Sequence, residues 1–404
     1  MERTAPVLIV GAGPVGMMNA YGLAREGVPV VLMERHEAIV PEPRAMTYHW
    51  TVLELLERWD LLDEMLEEGF KLREFCYRIF DSGEVIKLPL SALDGHVDHP
   101  YSLVLGQDQL EEIILRRLQQ MPNAEIHWNT AVVDVQQDTE GVTVRAERDG
   151  ESLTYRGDWL IAGDGGRSVV RSKLGIPFDG MTWPERFVAT NIRCDLEAYG
   201  WDVCNYLVDD QFGAVIAKVT KSGIWRVTFS EPVGLPDENL EDRIRAYYAQ
   251  VLPPEMDYEL LLYSAYNMHQ RWADNFRQGR VLLAGDAAHL TNPTNGFGLV
   301  SGILDSVVLA EALAAVVNGT ADEAVLDQYA QDRRWAFSEV ASPSSVETKR
   351  LVFHSTDPSR READLEVLRR KAEDPALARE HFMLGHRLRT PSVVPIQRFV
   401  GHHG

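Results

Sequence analysis

Positive charge and cysteine are both scarce in this chain. Lysine and arginine total 40 against 61 acidic residues, a formal charge of −21 over 404 residues. That deficit argues against phosphate backbones and anionic membrane surfaces, so no nucleic acid and no membrane is expected as a partner. It leaves the sign of any local pocket open. The cysteines are Cys76, Cys194 and Cys204. Thiols this few, odd in number and without a CxxC pair exclude a disulfide framework and suit a reducing cytoplasm. No metal-ligand spacing occurs, and His402-His403 reads as tail. The N-terminus lacks both a basic region and a long apolar segment, so neither a signal peptide nor a membrane span is expected. Internal repeats and low-complexity tracts are missing too. What is present is an apolar fraction of 45%. The chain is longer than one core usually organises, which predicts two domains.

The informative stretches are glycines that follow apolar strands. Residues 279–302 read GRVLLAGDAAHLTNPTNGFGLVSG. A strand breaks at Gly285-Asp286, a polar turn carries Pro293, Asn295, Gly296 and Gly298, and a small-residue helix pattern begins near Leu299. Such a helix start leaves backbone N–H groups free for anionic atoms. Asp286 is placed to accept hydrogen bonds from hydroxyls. At the other end of the chain, the strand Pro6–Val10 runs into Gly11-Ala12-Gly13-Pro14-Val15-Gly16, then a helix, then a second strand ending at Glu34. In this βαβ unit Gly11 permits the tight turn, Gly13 admits a pyrophosphate and Gly16 lets the helix approach the strand. Glu34 lies where a carboxylate holds an adenosine ribose, with Arg35 beside it. A third strand, Trp159–Ala162, empties into Gly163-Asp164-Gly165-Gly166. Asp164 thus ends a strand in the crevice where open α/β sheets bind ligands, or else caps a helix start.

The rest of the chain divides around these stretches. Prolines stiffen residues 35–50, where Arg44 is within reach of phosphates and His49 is a candidate base. The Asp81-Ser82-Gly83 turn marks residues 71–101 as an excursion into a second domain. Gln107 opens a helix that returns to the first. Ile126–Trp128, Ala131–Gln137, Val142–Glu147 and Leu153–Arg156 read as an antiparallel meander. Residues 178–276 are mostly β, rich in aromatics, and Tyr206 and Trp225 are candidate substrate contacts there. Residues 343–404 read as helical wrapping and an irregular tail. The expected division is 1–70, 102–177 and 278–342 in a nucleotide domain, 71–101 and 178–277 in a substrate domain, and 343–404 as a C-terminal segment.

The ordered set Gly11-x-Gly13-x-x-Gly16, Gly163-Asp164-Gly165 and Gly285-Asp286 resembles the class A flavin-dependent monooxygenases, the p-hydroxybenzoate hydroxylase-like aromatic hydroxylases. The likeness implies an α/β fold: a Rossmann-type FAD-binding domain, a discontinuous second domain on a mostly antiparallel sheet, and C-terminal helices. It implies FAD on Gly11, Gly13, Pro14, Val15, Gly16, Glu34, Arg35, Arg44 and Gln107. Val132 would contact adenine, Asp286 the ribityl chain, and Asp164 belongs to a fingerprint tied to FAD and reduced nicotinamide. Pro293, Gly296, Gly298, Leu299 and Val300 would lie against the isoalloxazine, with Pro293 counted as catalytic beside His49. No second nucleotide fingerprint exists, so NADPH or NADH is expected as a transient co-substrate. The implied reaction is hydroxylation of an aromatic, phenolic small molecule by molecular oxygen through a flavin C4a-hydroperoxide. A base that removes the phenolic proton enriches the ring, and His49 is the candidate, the other reading being a surface or structural histidine capping the 51–68 helix. Where the family often reads P-x-G-G-Q-G-M-N, this chain has Asn295 at a glycine and Val300 at the asparagine. The alternatives are a reductase or a Baeyer–Villiger-type oxygenase on the same scaffold, or an FAD-binding protein without turnover. A homodimer is also open.

Overall fold

The computed structural model describes residues 2–41 and 45–392. Strands Val7–Val10, Val30–Met33, Trp159–Ala162 and Val281–Leu283 are buried at every position. Strands apolar on both sides need cover on both sides, and these form the centre of a parallel sheet. Its order runs from Val281–Leu283 through Trp159–Ala162, Val7–Val10 and Val30–Met33 to Ala124–His127. Arg277–Gln278 adds an antiparallel edge.

Ala124–His127 corrects the sequence reading, which put Ile126–Trp128 in the meander. Its register with Val30–Met33 is parallel. The meander instead comprises Ala131–Gln137, Val142–Arg148 and Glu151–Gly157, extended by Glu2–Thr4. Short apolar strands carry no sign of their partner in sequence, and here pairing along the parallel sheet wins.

Helices Pro14–Arg25 and Phe297–Val317 pack together on this sheet. Asn19 joins them, its Nδ2 donating to Val15 O and Ser306 Oγ. Phe297–Val317 is long and apolar enough to cross a membrane, but 78% of its most apolar window is buried in the protein. An all-round apolar helix of this kind is a core helix.

The second sheet has eight strands. His289–Leu290, Glu259–Ala273, Phe178–Arg193, Ile224–Pro232, Ala214–Lys218 and Cys204–Val208 run in antiparallel order, and Glu74–Ile79 and Val85–Pro89 complete one side. Its faces differ. One buries Ile192, Ile216, Trp225 and Val227 against Ile244 and Tyr248 of helix Leu240–Val251. The other gathers Phe75, Tyr77, Tyr206 and Phe187 with Trp50, Val352 and Phe353. The C-terminal residues thus close the second face. Helix Ala324–Ala336 passes through a π-helical turn, Phe337–Ala341, into helix Ser342–Phe353.

Candidate active site

The glycine motifs, far apart in sequence, abut one another. A Cβ on Gly11, where φ is +94°, would lie 2.5 Å from Gly163 O. One on Gly16 would lie 1.7 Å from Gly11 O, and one on Gly302 would lie 2.7 Å from Val15 Cγ2. In the first two cases backbone meets backbone, and in the third the long helix closes on the Val15 side chain. Arg171 fastens the second motif to the third, its guanidinium donating to Gly166 O at 2.8 Å and to Ala287 O at 2.7 Å. Gly13 is the contrast, since a Cβ there would meet nothing within 4 Å. It faces open space at the start of helix Pro14–Arg25, which has no side-chain cap.

These features fit a dinucleotide. Uncapped N–H groups beside an open glycine suit a pyrophosphate. Glu34 is held by Ala12 N at 2.8 Å and His36 N at 2.9 Å, so its carboxylate is fixed at the end of the strand. Thr130 N donates to Glu34 O at 2.7 Å, which brings the segment leading to Val132 alongside. Gln107 Oε1 accepts from Ala45 N at 3.3 Å. Asp286 is exposed between buried neighbours. Pro293 is likewise exposed between buried Asn292 and Thr294, and Thr294 Oγ1 is buried without a partner. The long helix then begins at Gly296, φ +73°, with Gly298 and Leu299 partly open in its first turn. An unsatisfied hydroxyl and free amides around an exposed proline suit a flat, hydrogen-bonding ring system such as isoalloxazine.

Asp164 has its oxygens engaged. Ser168 Oγ donates to Oδ1 at 2.6 Å, and Val169 N and Val170 N donate to Oδ2. Burial raises its pKa, and these donors work against the rise. Its visible task is to cap helix Val169–Lys173.

His49 lies between strand Glu74–Ile79 of the second sheet and the start of helix Phe297–Val317. Its Nε2 is 2.8 Å from Asn295 O in the glycine turn. Its ring stacks on Phe75 at 5.8 Å and meets the edge of Phe297 at 5.3 Å. Phe75 continues to Tyr206 at 6.3 Å, and Tyr206 to Tyr77 at 5.0 Å. His49 is half-buried. Burial lowers its pKa, against a smaller upward pull from the Asn295 carbonyl. The imidazole is therefore held neutral, ready to accept a proton. Burial also keeps the Tyr206 phenol protonated.

Two sequence expectations need correction. Trp225 is fully buried under helix Leu240–Val251, on the sheet face opposite Tyr206. Strand parity decides this: Trp225, Val227 and Phe229 share one face. Trp225→Phe is expected to cost about 1–2 kcal/mol of stability through lost core volume and to leave the substrate KM unchanged; a urea melt and a Michaelis curve check both. Val300 is fully buried in the main core, and its amide lies beyond the unpaired first turn, so it offers the ring neither side chain nor donor. Arg35 is exposed, with Nε donating to His36. Arg44 and His402-His403 lie outside the described residues.

Other contributors were missed. Phe75 alternates with Tyr77 on one strand, a period-2 signal that could have marked it. Gln270 reaches from the second sheet to the turn, where Asn292 N donates to its Oε1 and its Nε2 donates to Ser342 Oγ. Ser345 Oγ donates to Asn295 Oδ1 at 2.8 Å. The latter contacts span long sequence distances and leave no local pattern.

An uncapped βαβ cradle beside an aromatic-lined imidazole fits a dinucleotide cofactor facing a small ring, and the class of protein follows from its relatives. The chain belongs to the FAD binding domain family, whose model matches residues 4–343. It is 40% identical over 355 residues to 6-hydroxy-3-succinoylpyridine 3-monooxygenase of Pseudomonas putida (strain DSM 28022 / S16), covering 88% of this chain and 90% of that one. It is 38% identical over 386 residues to para-nitrophenol 4-monooxygenase of Pseudomonas sp. (strain WBC-3), covering 95% and 96%. The crystal structure of p-nitrophenol 4-monooxygenase from Pseudomonas putida DLL-E4 superposes with a TM-score of 0.93 at 36% identity, covering 96% of this chain and 99% of that one. The chain is an FAD-dependent aromatic monooxygenase, which sets aside the reductase and non-catalytic readings.

Proposed function

We propose that the chain hydroxylates a small, electron-poor aromatic ring bearing an ionisable hydroxyl, using NADPH or NADH and molecular oxygen. The observation that carries this reading is the His49 imidazole, held by the Asn295 carbonyl against Phe75 and Phe297, with Tyr206 beyond Phe75, beside the Pro293 turn. The names of the two curated relatives, a nitrophenol and a hydroxypyridine-type monooxygenase, support a substrate class with an acidified ring hydroxyl. FAD would be held by Gly11, Gly13, Pro14, Val15, Gly16, Glu34, Gln107, Val132 and Asp286, with Pro293 and residues 296–299 along the ring. When bound and reduced, it supplies the electrons that activate oxygen for transfer to the ring. Phe75, Tyr206 and Phe297 then exclude water and hold the substrate ring flat. His49 takes the hydroxyl proton, leaving the electron pair on oxygen and the ring more nucleophilic. One oxygen atom enters the ring and the other leaves as water, with two electrons from the nicotinamide. The free thiols agree with work in the cytoplasm, where reduced nicotinamide is supplied. A homodimer remains part of the proposal.

The test is oxygen uptake and NADPH or NADH oxidation by the flavin-loaded protein with para-nitrophenol, a hydroxypyridine, and nitrobenzene as a control without the hydroxyl. Substrate-stimulated uptake with the first two alone is expected. His49→Ala should lower coupled hydroxylation about a hundredfold and raise peroxide release. Unchanged coupling with a phenolic substrate would remove His49 from the mechanism.

A further inference from the structure

We propose that Asn295 and Ser345 are positioning residues that fix His49 as the Nε2–H tautomer, so that the proton-accepting atom is Nδ1. The inference rests on the reading of His49 as the base. A carbonyl oxygen can only accept, so the 2.8 Å contact from His49 Nε2 to Asn295 O requires the proton on Nε2. In a neutral imidazole the lone pair then lies on Nδ1. Among the described residues Nδ1 has no hydrogen-bond partner, which leaves it available to a substrate hydroxyl. Phe75 against the ring face and Phe297 against its edge prevent the ring from turning over. Among the described residues no charged side chain enters the balance on His49.

The carbonyl is held from behind. Asn295 Oδ1 accepts from Phe297 N at 3.3 Å and from Ser345 Oγ at 2.8 Å. The first contact identifies this atom as oxygen, since an amide nitrogen could not receive a backbone N–H. Ser345 is buried on helix Ser342–Phe353, the same inward side as Ser342, which is bonded to Gln270. Gln270 in turn fixes Asn292 at the head of the turn. The C-terminal helix therefore grips the turn at both ends. Asn295, the departure from the glycine expected in the motif, supplies a side chain that anchors its own carbonyl.

Two measurements test this. In resting holoenzyme labelled with ¹⁵N-histidine, His49 is assigned by comparison with His49→Ala. Its ring shifts should report a proton on Nε2; a proton on Nδ1 overturns the proposal without any substrate being present. The second probe is para-nitrophenol, whose absorbance reports its ionisation when bound without oxygen or reductant. Ser345→Ala and Asn295→Gly should each lower the bound phenolate-to-phenol ratio about fivefold, the factor that one hydrogen bond of ordinary net strength supplies. The double variant should be no worse than either single one, and flavin content should not change. Wild-type ionisation in both variants, or additive losses, overturns the proposal while leaving His49 as base. Normal ionisation in His49→Ala overturns the base reading itself, and the positioning role with it.

Discussion

Gly16→Ala is expected to purify without flavin and to melt early. Its Cβ would stand 1.7 Å from Gly11 O, where no atom fits. The backbone cannot yield on the other side, because Gly11 N is bonded to Met33 O at 2.8 Å and Gly11 itself abuts Gly163. Helix and strand must separate, which costs at least about 3 kcal/mol, the upper range for overpacking a close contact. Gly13→Ala is the companion. Its Cβ meets nothing within 4 Å, so the fold should hold while the pyrophosphate approach is blocked. Thermal melts and flavin absorbance separate the two. Full flavin retention in Gly16→Ala would refute the close contact of helix and strand at Gly11.

Asp305→Ala should be the most damaging change away from the cofactor. Asp305 and Arg333 are both fully buried, and Arg333 Nε donates to Oδ1 at 2.8 Å. His289 Nε2 lies 2.6 Å from Oδ2, and Gly285 N donates to the same atom at 3.0 Å. Removing the carboxylate strands a guanidinium in the core, a loss of about 3–5 kcal/mol. It also frees Gly285 and with it the position of Asp286. The pH dependence has a defined sign. Burial pushes the Asp305 carboxyl up, but His289 and Arg333 outweigh it and leave the pKa below the ordinary value. A lowered native pKa gives stability that is complete above the unfolded value near about 4 and is lost as pH falls through the native one. Urea melts from neutral pH downward should therefore show wild type losing stability below that point more steeply than Asp305→Ala. Parallel curves would contradict the assignment.

The cofactor half of the molecule was legible because its determinants are local. Gly11, Gly13 and Gly16 act within one βαβ unit, and Glu34 follows at the spacing that a helix and a strand dictate. The same holds for Gly285-Asp286. The substrate half was not, since its logic lies in parity and register. Tyr206 and Trp225 are both aromatics on predicted strands, but only pairing across the sheet sends one toward His49 and the other under helix Leu240–Val251. Val300 failed for a related reason: a shift of one residue along a helix start separates an unpaired amide from a bonded one. The C-terminal segment gave no sign of its role, because Ser345 and Gln270 act on a turn that neither adjoins in sequence.

The π-helical turn at Phe337–Ala341 sets the phase of everything after it. A single residue advances an α-helix by about 100°, so the extra residue that such a turn accommodates works as a rotational offset between Ala336 and Ser342. Shortening the segment by one residue would let the backbone relax into ordinary α-helix. It would also swing Ser342 away from Gln270 and Ser345 away from Asn295. Insertions and deletions are therefore constrained here more by angle than by length, and the helix that looks most like passive wrapping is where the reading frame of the site is kept.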